Sequence, residues 1–120
     1  MSPLADLVYH SATGVTKRIA ESLGGIPLSE YTGGSYVLLF PSYGSPRTGG
    51  YIPGAVRNFL ADHGDGLIAV AGVGNLTFGS DFCLGARLLA NEYEVPLVAK
   101  FDMVPTGDQL SRLQEAMEWN

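Results

Sequence analysis

Leu7-Val8-Tyr9-His10-Ser11-Ala12-Thr13-Gly14-Val15-Thr16 carries a short apolar run into a glycine- and hydroxyl-bearing turn, which opens the helical spacing Val15, Ile19, Leu23. The pattern reads strand, loop, helix. At such a junction the first helical amides lack an intrahelical acceptor, the helix dipole favours negative charge, and Ser/Thr hydroxyls add donors. A bound phosphate suits that geometry and needs no lysine. An ordinary helix start, capped by Thr13 or Ser11 with no ligand, uses the same residues.

Two further loops repeat the arrangement. Pro41-Ser42-Tyr43-Gly44 follows the apolar run Tyr36 to Phe40, and Gly74-Asn75-Leu76-Thr77-Phe78-Gly79 follows Leu67 to Val73. All three loops leave the C-terminal ends of predicted strands, which is where open parallel α/β sheets take their ligands.

The runs Asp6 to Tyr9, Tyr36 to Phe40, Leu67 to Val73 and Leu97 to Phe101 are nearly continuous in apolar residues. Strands buried on both faces, and therefore parallel, read this way. Amphipathic stretches lie between them: Val15 to Leu23, Pro53 to Asp62 and Asp81 to Tyr93, with a last helix from about Gly107 to Trp119. Pro53 stands where a first helical residue is expected, Gly64 is read as the stop of that helix, and Thr106-Gly107-Asp108-Gln109 reads as a capping box. A short strand around Ile26-Pro27-Leu28 completes five. The alternation predicts an α/β fold, a doubly wound parallel sheet of order 2-1-3-4-5 in three α/β/α layers, as one domain over residues 1–120.

Composition narrows the function. Hydrophobic residues make up 46% of 120, so disorder is excluded. A formal net charge of −5, with no cluster of Lys and Arg, argues against nucleic acid, whose binding needs a concentrated basic face. The lone cysteine, Cys83, cannot close an internal disulfide, and no apolar run approaches the length of a membrane span. With no secretory signal visible at Met1-Ser2-Pro3, a cytoplasmic location is expected. His10 and His63, far apart, give with Cys83 no metal-ligand spacing, so no metal site is expected.

The phosphate-loop spacing of nucleotide hydrolases is absent. Gly72-Val73-Gly74 supplies the first two glycines of a dinucleotide fingerprint but lacks the third and follows a late strand. Cys83 falls in an expected helix and reads as a small buried hydrophobe rather than a nucleophile. Tyr43 and Phe78 stand in glycine-flanked loops at the ligand edge; they either fold inward as core or flank a flat ring system. A phosphate at the first loop with aromatics at the second and third describes a mononucleotide with a stacked ring, and FMN fits best.

At these loops the chain resembles the flavodoxin superfamily, and more closely the NrdI flavoproteins that serve class Ib ribonucleotide reductase. The resemblance rests on Val8-Tyr9-His10-Ser11, Pro41-Ser42-Tyr43-Gly44, Gly74-Asn75-Leu76-Thr77-Phe78-Gly79, and Val95-Pro96 leading into Lys100-Phe101-Asp102. It spans nearly the whole chain. The third loop discriminates, because its neutral Gly-Asn-x-x-Phe-Gly pattern is similar to that of NrdI proteins rather than to the acidic, tyrosine-bearing loop of electron-carrier flavodoxins. The resemblance implies a flavodoxin-like fold with the FMN phosphate on Ser11, Ala12, Thr13, Gly14, Val15 and Thr16. The flavin ring would be lined by Ser42, Tyr43, Gly44, Gly74, Asn75, Thr77, Phe78 and Gly79. His10 stands where the family commonly has an aromatic residue, and Asp102-Met103-Val104-Pro105-Thr106 is a diverged version of its Glu-Leu-Met-Gly-Thr segment.

The same resemblance implies a redox accessory protein without a substrate of its own. It would supply superoxide or electrons for assembly of the dimanganese-tyrosyl radical cofactor in the small subunit of class Ib ribonucleotide reductase, after reduction by a flavin-reducing partner. The alternatives are a general single-electron-transfer flavodoxin and a flavin-free α/β interaction module whose loops are caps. A phospho-acceptor receiver domain is excluded, since its metal-binding carboxylates are replaced here by His10-Ser11 and Ser42-Tyr43.

Overall fold

Alternate residues of a strand face opposite sides of a sheet, so an unbroken apolar run fits only where helices cover both sides. The computed structural model describes residues 5–11, 14–41, 52–74, 83–102 and 105–118. Its strands are β1 (Asp6–Tyr9), β2 (Ile26–Pro27), β3 (Tyr36–Pro41), β4 (Leu67–Val73) and β5 (Leu97–Phe101). All pairings are parallel, in the expected order β2-β1-β3-β4-β5. Every residue of β3, the central strand, is buried, whereas β2 and β5 at the edges are partly exposed.

Among the described residues, four helices complete the layers: α1 (Gly14–Ser22), α2 (Gly54–His63), α3 (Leu84–Tyr93) and α4 (Gly107–Met117). Leu7, Tyr9, Val37, Leu39, Ala71 and Phe101 pack on one face against Ile19 of α1 and Leu113 and Met117 of α4. On the other face Val8, Leu38, Phe40 and Val70 meet Val56 and Phe59 of α2 and Ala86 and Leu89 of α3. Each fully buried side chain of this size contributes about 1.5–3 kcal/mol relative to exposure.

Local chemistry sets the helix ends. Thr106 Oγ1 accepts from the Gln109 amide at 3.3 Å, and the Gln109 side chain accepts from the Thr106 amide at 3.0 Å, forming the expected capping box. Gln109 also donates to the Lys100 carbonyl at 2.8 Å, tying α4 to β5. On the other face, Gly72 lets α3 approach the sheet: a Cβ there would lie 2.7 Å from the Ala86 Cβ and 3.3 Å from Cys83 Sγ.

Several boundaries differ from the sequence reading. Pro53 is the extended residue before α2 rather than its first helical residue. Gly64 does end α2, as expected, standing as its C-cap after His63, and it keeps right-handed helical angles as the chain leads into a 3-10 turn over Gly64–Gly66. Leu28 leaves the short second strand for a 3-10 turn over Leu28–Glu30. α4 ends at Met117, short of Trp119. The third helix begins at Leu84, so Cys83 precedes it in a left-handed conformation, φ 55°; of its predicted start, residues 81 and 82 lie outside the described residues.

The end of the sheet where the strands begin is closed by aromatic packing. Tyr36 lies edge-on to Tyr31 and Phe59, with centroids 4.9 and 5.4 Å away, and His63 stands 4.9 Å from Phe59. The Tyr36 hydroxyl donates to the His63 carbonyl at 2.8 Å. Burial holds this phenol well above its usual pKa, so it is a neutral donor throughout the physiological range.

Candidate functional site

At the opposite end of the sheet the parallel register brings the three loop origins together. Tyr9 of β1 is level with Leu39, and Pro41 of β3 is level with Val73 of β4. Adjacent strands lie about 4.8 Å apart, so loops leaving β1, β3 and β4 start side by side. Backbone bonds fix two of these origins one residue beyond the strands: His10 N–H donates to the Leu39 carbonyl at 3.1 Å, and Gly74 N–H to the Phe101 carbonyl at 2.8 Å.

Of the predicted site residues, Ser11, Gly14, Val15, Thr16 and Gly74 lie among those described, and their elements converge on this edge. Ala12, Thr13, Ser42, Tyr43, Gly44, Asn75, Thr77, Phe78 and Gly79 lie outside the described residues. α1 starts at Gly14, one loop after β1, so its first turn presents its unpaired amides at the end of the sheet. A Cβ added at Gly14 would meet no atom within 4 Å. Protein packing therefore does not demand glycine there, and the space above it is open.

Thr16, the third residue of α1, is fully buried, and its Oγ1 has no hydrogen-bond partner among the described residues. A buried hydroxyl without a partner costs about 1–3 kcal/mol, so its presence at a helix N-terminus favours an acceptor or donor that a ligand brings. Val15 turns elsewhere. With Ile19, Ser22, Pro105 and Leu110 it lines an apolar groove of about 200 Å³ between α1 and α4.

Beside the first turn of α1 lies a larger cavity, about 410 Å³, lined by Tyr9, His10, Ser11 and Lys17 together with Pro27, Leu28, Ser29 and Ala55. Sequence reasoning missed Lys17 and Ser29. Lys17 is three residues past Gly14 on a helix that starts at the site, which was readable, but Ser29 arrives only through the pairing of β2 with β1. Burial lowers the His10 pKa from its ordinary 6.5 and so favours the neutral imidazole.

Cys83 enters no such constellation. It is wholly buried under α3, and desolvation pushes its thiol up to about 12, which keeps it protonated and leaves it a packing residue. Among the described residues no cluster of His, Cys, Asp and Glu has the makings of a metal site, and no helix is long and apolar enough to cross a membrane.

Known proteins share this fold. Two solved flavodoxins superpose over 95% of the chain: one from Streptococcus pneumoniae TIGR4 (TM-score 0.64, 21% identity, 94% of that chain) and a short-chain flavodoxin associated with a non-canonical PDU bacterial microcompartment (TM-score 0.63, 20% identity, 93% of that chain). At those identities they establish the fold. Curated relatives are closer in sequence. The NrdI protein of Chromohalobacter salexigens is 34% identical, with 95% of this chain and 94% of the relative covered. That of Rhodococcus erythropolis is 31% identical, with 98% and 86% covered. The family model described as NrdI flavodoxin-like matches residues 7–115. The chain therefore belongs to the NrdI flavodoxin-like family.

Proposed function

We propose that this chain is an FMN-binding redox accessory protein that serves a class Ib ribonucleotide reductase. Family membership implies a flavin, and the buried Thr16 hydroxyl at the start of α1, without a partner among the described residues, is the observation that carries the reading to this site. When bound, FMN supplies one- and two-electron redox chemistry, so the protein's part is binding, orientation and electrostatics. Ser11, Gly14, Val15 and Thr16, with Ala12 and Thr13, hold the phosphate through hydroxyls and helix-start amides. Ser42, Tyr43, Gly44, Gly74, Asn75, Thr77, Phe78 and Gly79 line the ring.

The proposed partner is the dimanganese small subunit of the reductase, which would receive superoxide or electrons for assembly of its tyrosyl radical; a second, flavin-reducing protein would supply the reducing equivalents. On this reading the chain acts as one domain in the cytoplasm and turns over no substrate of its own. A neutral third loop supports delivery of an oxyanion, because a wall of carboxylates would repel one.

The test has two stages. The purified protein is titrated with FMN and reduced stepwise with dithionite under anaerobic conditions; flavin absorption that bleaches on reduction is expected, and absence of FMN uptake would refute the reading. The reduced protein is then mixed with the manganese-loaded small subunit and O2. Appearance of the tyrosyl radical signal is expected, whereas FMN binding without radical formation would leave a general single-electron carrier.

A further inference from the structure

The cavity beside α1 has a charge character opposite to that of the molecule. The chain carries a formal net charge of −5, yet among the described residues this cavity is lined by two side chains that carry positive charge when protonated, His10 and Lys17, and by no carboxylate. Its remaining polar lining includes the hydroxyls of Ser11 and Ser29, while α2 contributes Ala55. Neither His10 nor Lys17 pairs with a carboxylate among the described residues. His10 is half-buried, and its backbone is held by the bond to Leu39.

We propose that His10 and Lys17, on the wall of this cavity beside the start of α1, face the phosphate monoester of the bound flavin, and that His10 takes up a proton as the phosphate arrives, with Lys17 as the permanent charge. The inference rests on the flavin reading above and adds to it a charge-sensing residue. A phosphate monoester is largely dianionic near neutral pH, and an opposite charge within about 4–6 Å favours the protonated imidazole. In the free protein burial favours the neutral form. Binding therefore raises the pKa of His10 and draws one proton from solvent.

The sign of the pH dependence follows by linkage. Below the free-state value, itself under 6.5, His10 is already charged and this contribution to affinity is complete. Between the free and bound values affinity falls as pH rises, by up to about tenfold per pH unit. Above the bound value His10 stays neutral and the loss levels off. Among the described residues, Lys17 on α1 is the other cationic group facing the cavity, Tyr9 is the remaining titratable one, and the turn after β2 and the start of α2 bring none.

The experiment titrates the full chain, freed of flavin, with FMN and with riboflavin, following flavin fluorescence between about pH 5.5 and 8.5. Wild type is compared with His10→Gln and Lys17→Gln. The ionisation of the phosphate itself persists in His10→Gln, so the ratio of the two FMN affinities isolates the imidazole. That ratio should fall by about tenfold across the range, while the riboflavin ratio stays flat and retained riboflavin binding certifies the fold. Lys17→Gln should weaken FMN at every pH with the wild-type slope. FMN binding whose pH dependence is the same in wild type and His10→Gln would overturn the proposal alone. Failure of the wild type to bind either flavin would overturn the flavin reading, and this inference with it.

Discussion

The two ends of the sheet hold the same kinds of group in opposite states. Where the strands begin, a buried hydroxyl on Tyr36 donates to the His63 carbonyl, and an imidazole, His63, packs within an aromatic cluster. Where the strands end, a buried hydroxyl on Thr16 has no partner among the described residues, and an imidazole, His10, lines a cavity. Polar groups that serve the fold are satisfied within it. Those left unsatisfied at the opposite end mark where the fold expects something else, because an unpaired buried hydroxyl is retained against a cost of about 1–3 kcal/mol.

The strongest way to break this contrast is to attack the closed end. Tyr36→Ala removes a fully buried ring and its edge-on neighbours, and stability measured by urea unfolding should fall by about 3–5 kcal/mol. Flavin affinity of the folded fraction should not change; a parallel loss would mean that the two ends are energetically one unit. Tyr36→Phe keeps the ring and removes only the bond to His63. It should cost about 1 kcal/mol, again with unchanged flavin affinity.

The smallest effect tests backbone strain at the closed end. Glu94 follows α3 with φ 56°, exposed, its amide donating back to the Ala90 and Asn91 carbonyls. Glycine adopts that conformation without a Cβ penalty. Glu94→Gly should therefore raise stability by about 0.5–1 kcal/mol, seen as a higher urea midpoint at constant slope.

Most of the frame was legible because its signals are local. The continuous apolar runs of β1, β3 and β4 demanded helices on both faces, and Thr106 and Gln109 wrote their capping box four residues long. Cys83 was misplaced because nothing in its neighbourhood announces a left-handed residue; that conformation belongs with the close approach of α3 to Gly72, which is a tertiary fact. Thr16 was legible as a site residue by its place in the first turn, but its burial was not. The cavity with Lys17 and Ser29 was invisible, since it needs the end of β2 laid beside the end of β1.

The most direct test of the contrast is Thr16→Val, with urea unfolding of the flavin-free protein and FMN affinity measured on the same preparation. Thr16 Oγ1 has no partner to lose within the described protein. Stability is predicted to stay level or rise by up to about 1 kcal/mol, while FMN affinity falls about tenfold. A drop in stability of more than about 1 kcal/mol with FMN affinity unchanged would show that the hydroxyl serves the fold, and the distinction between the two ends would be lost.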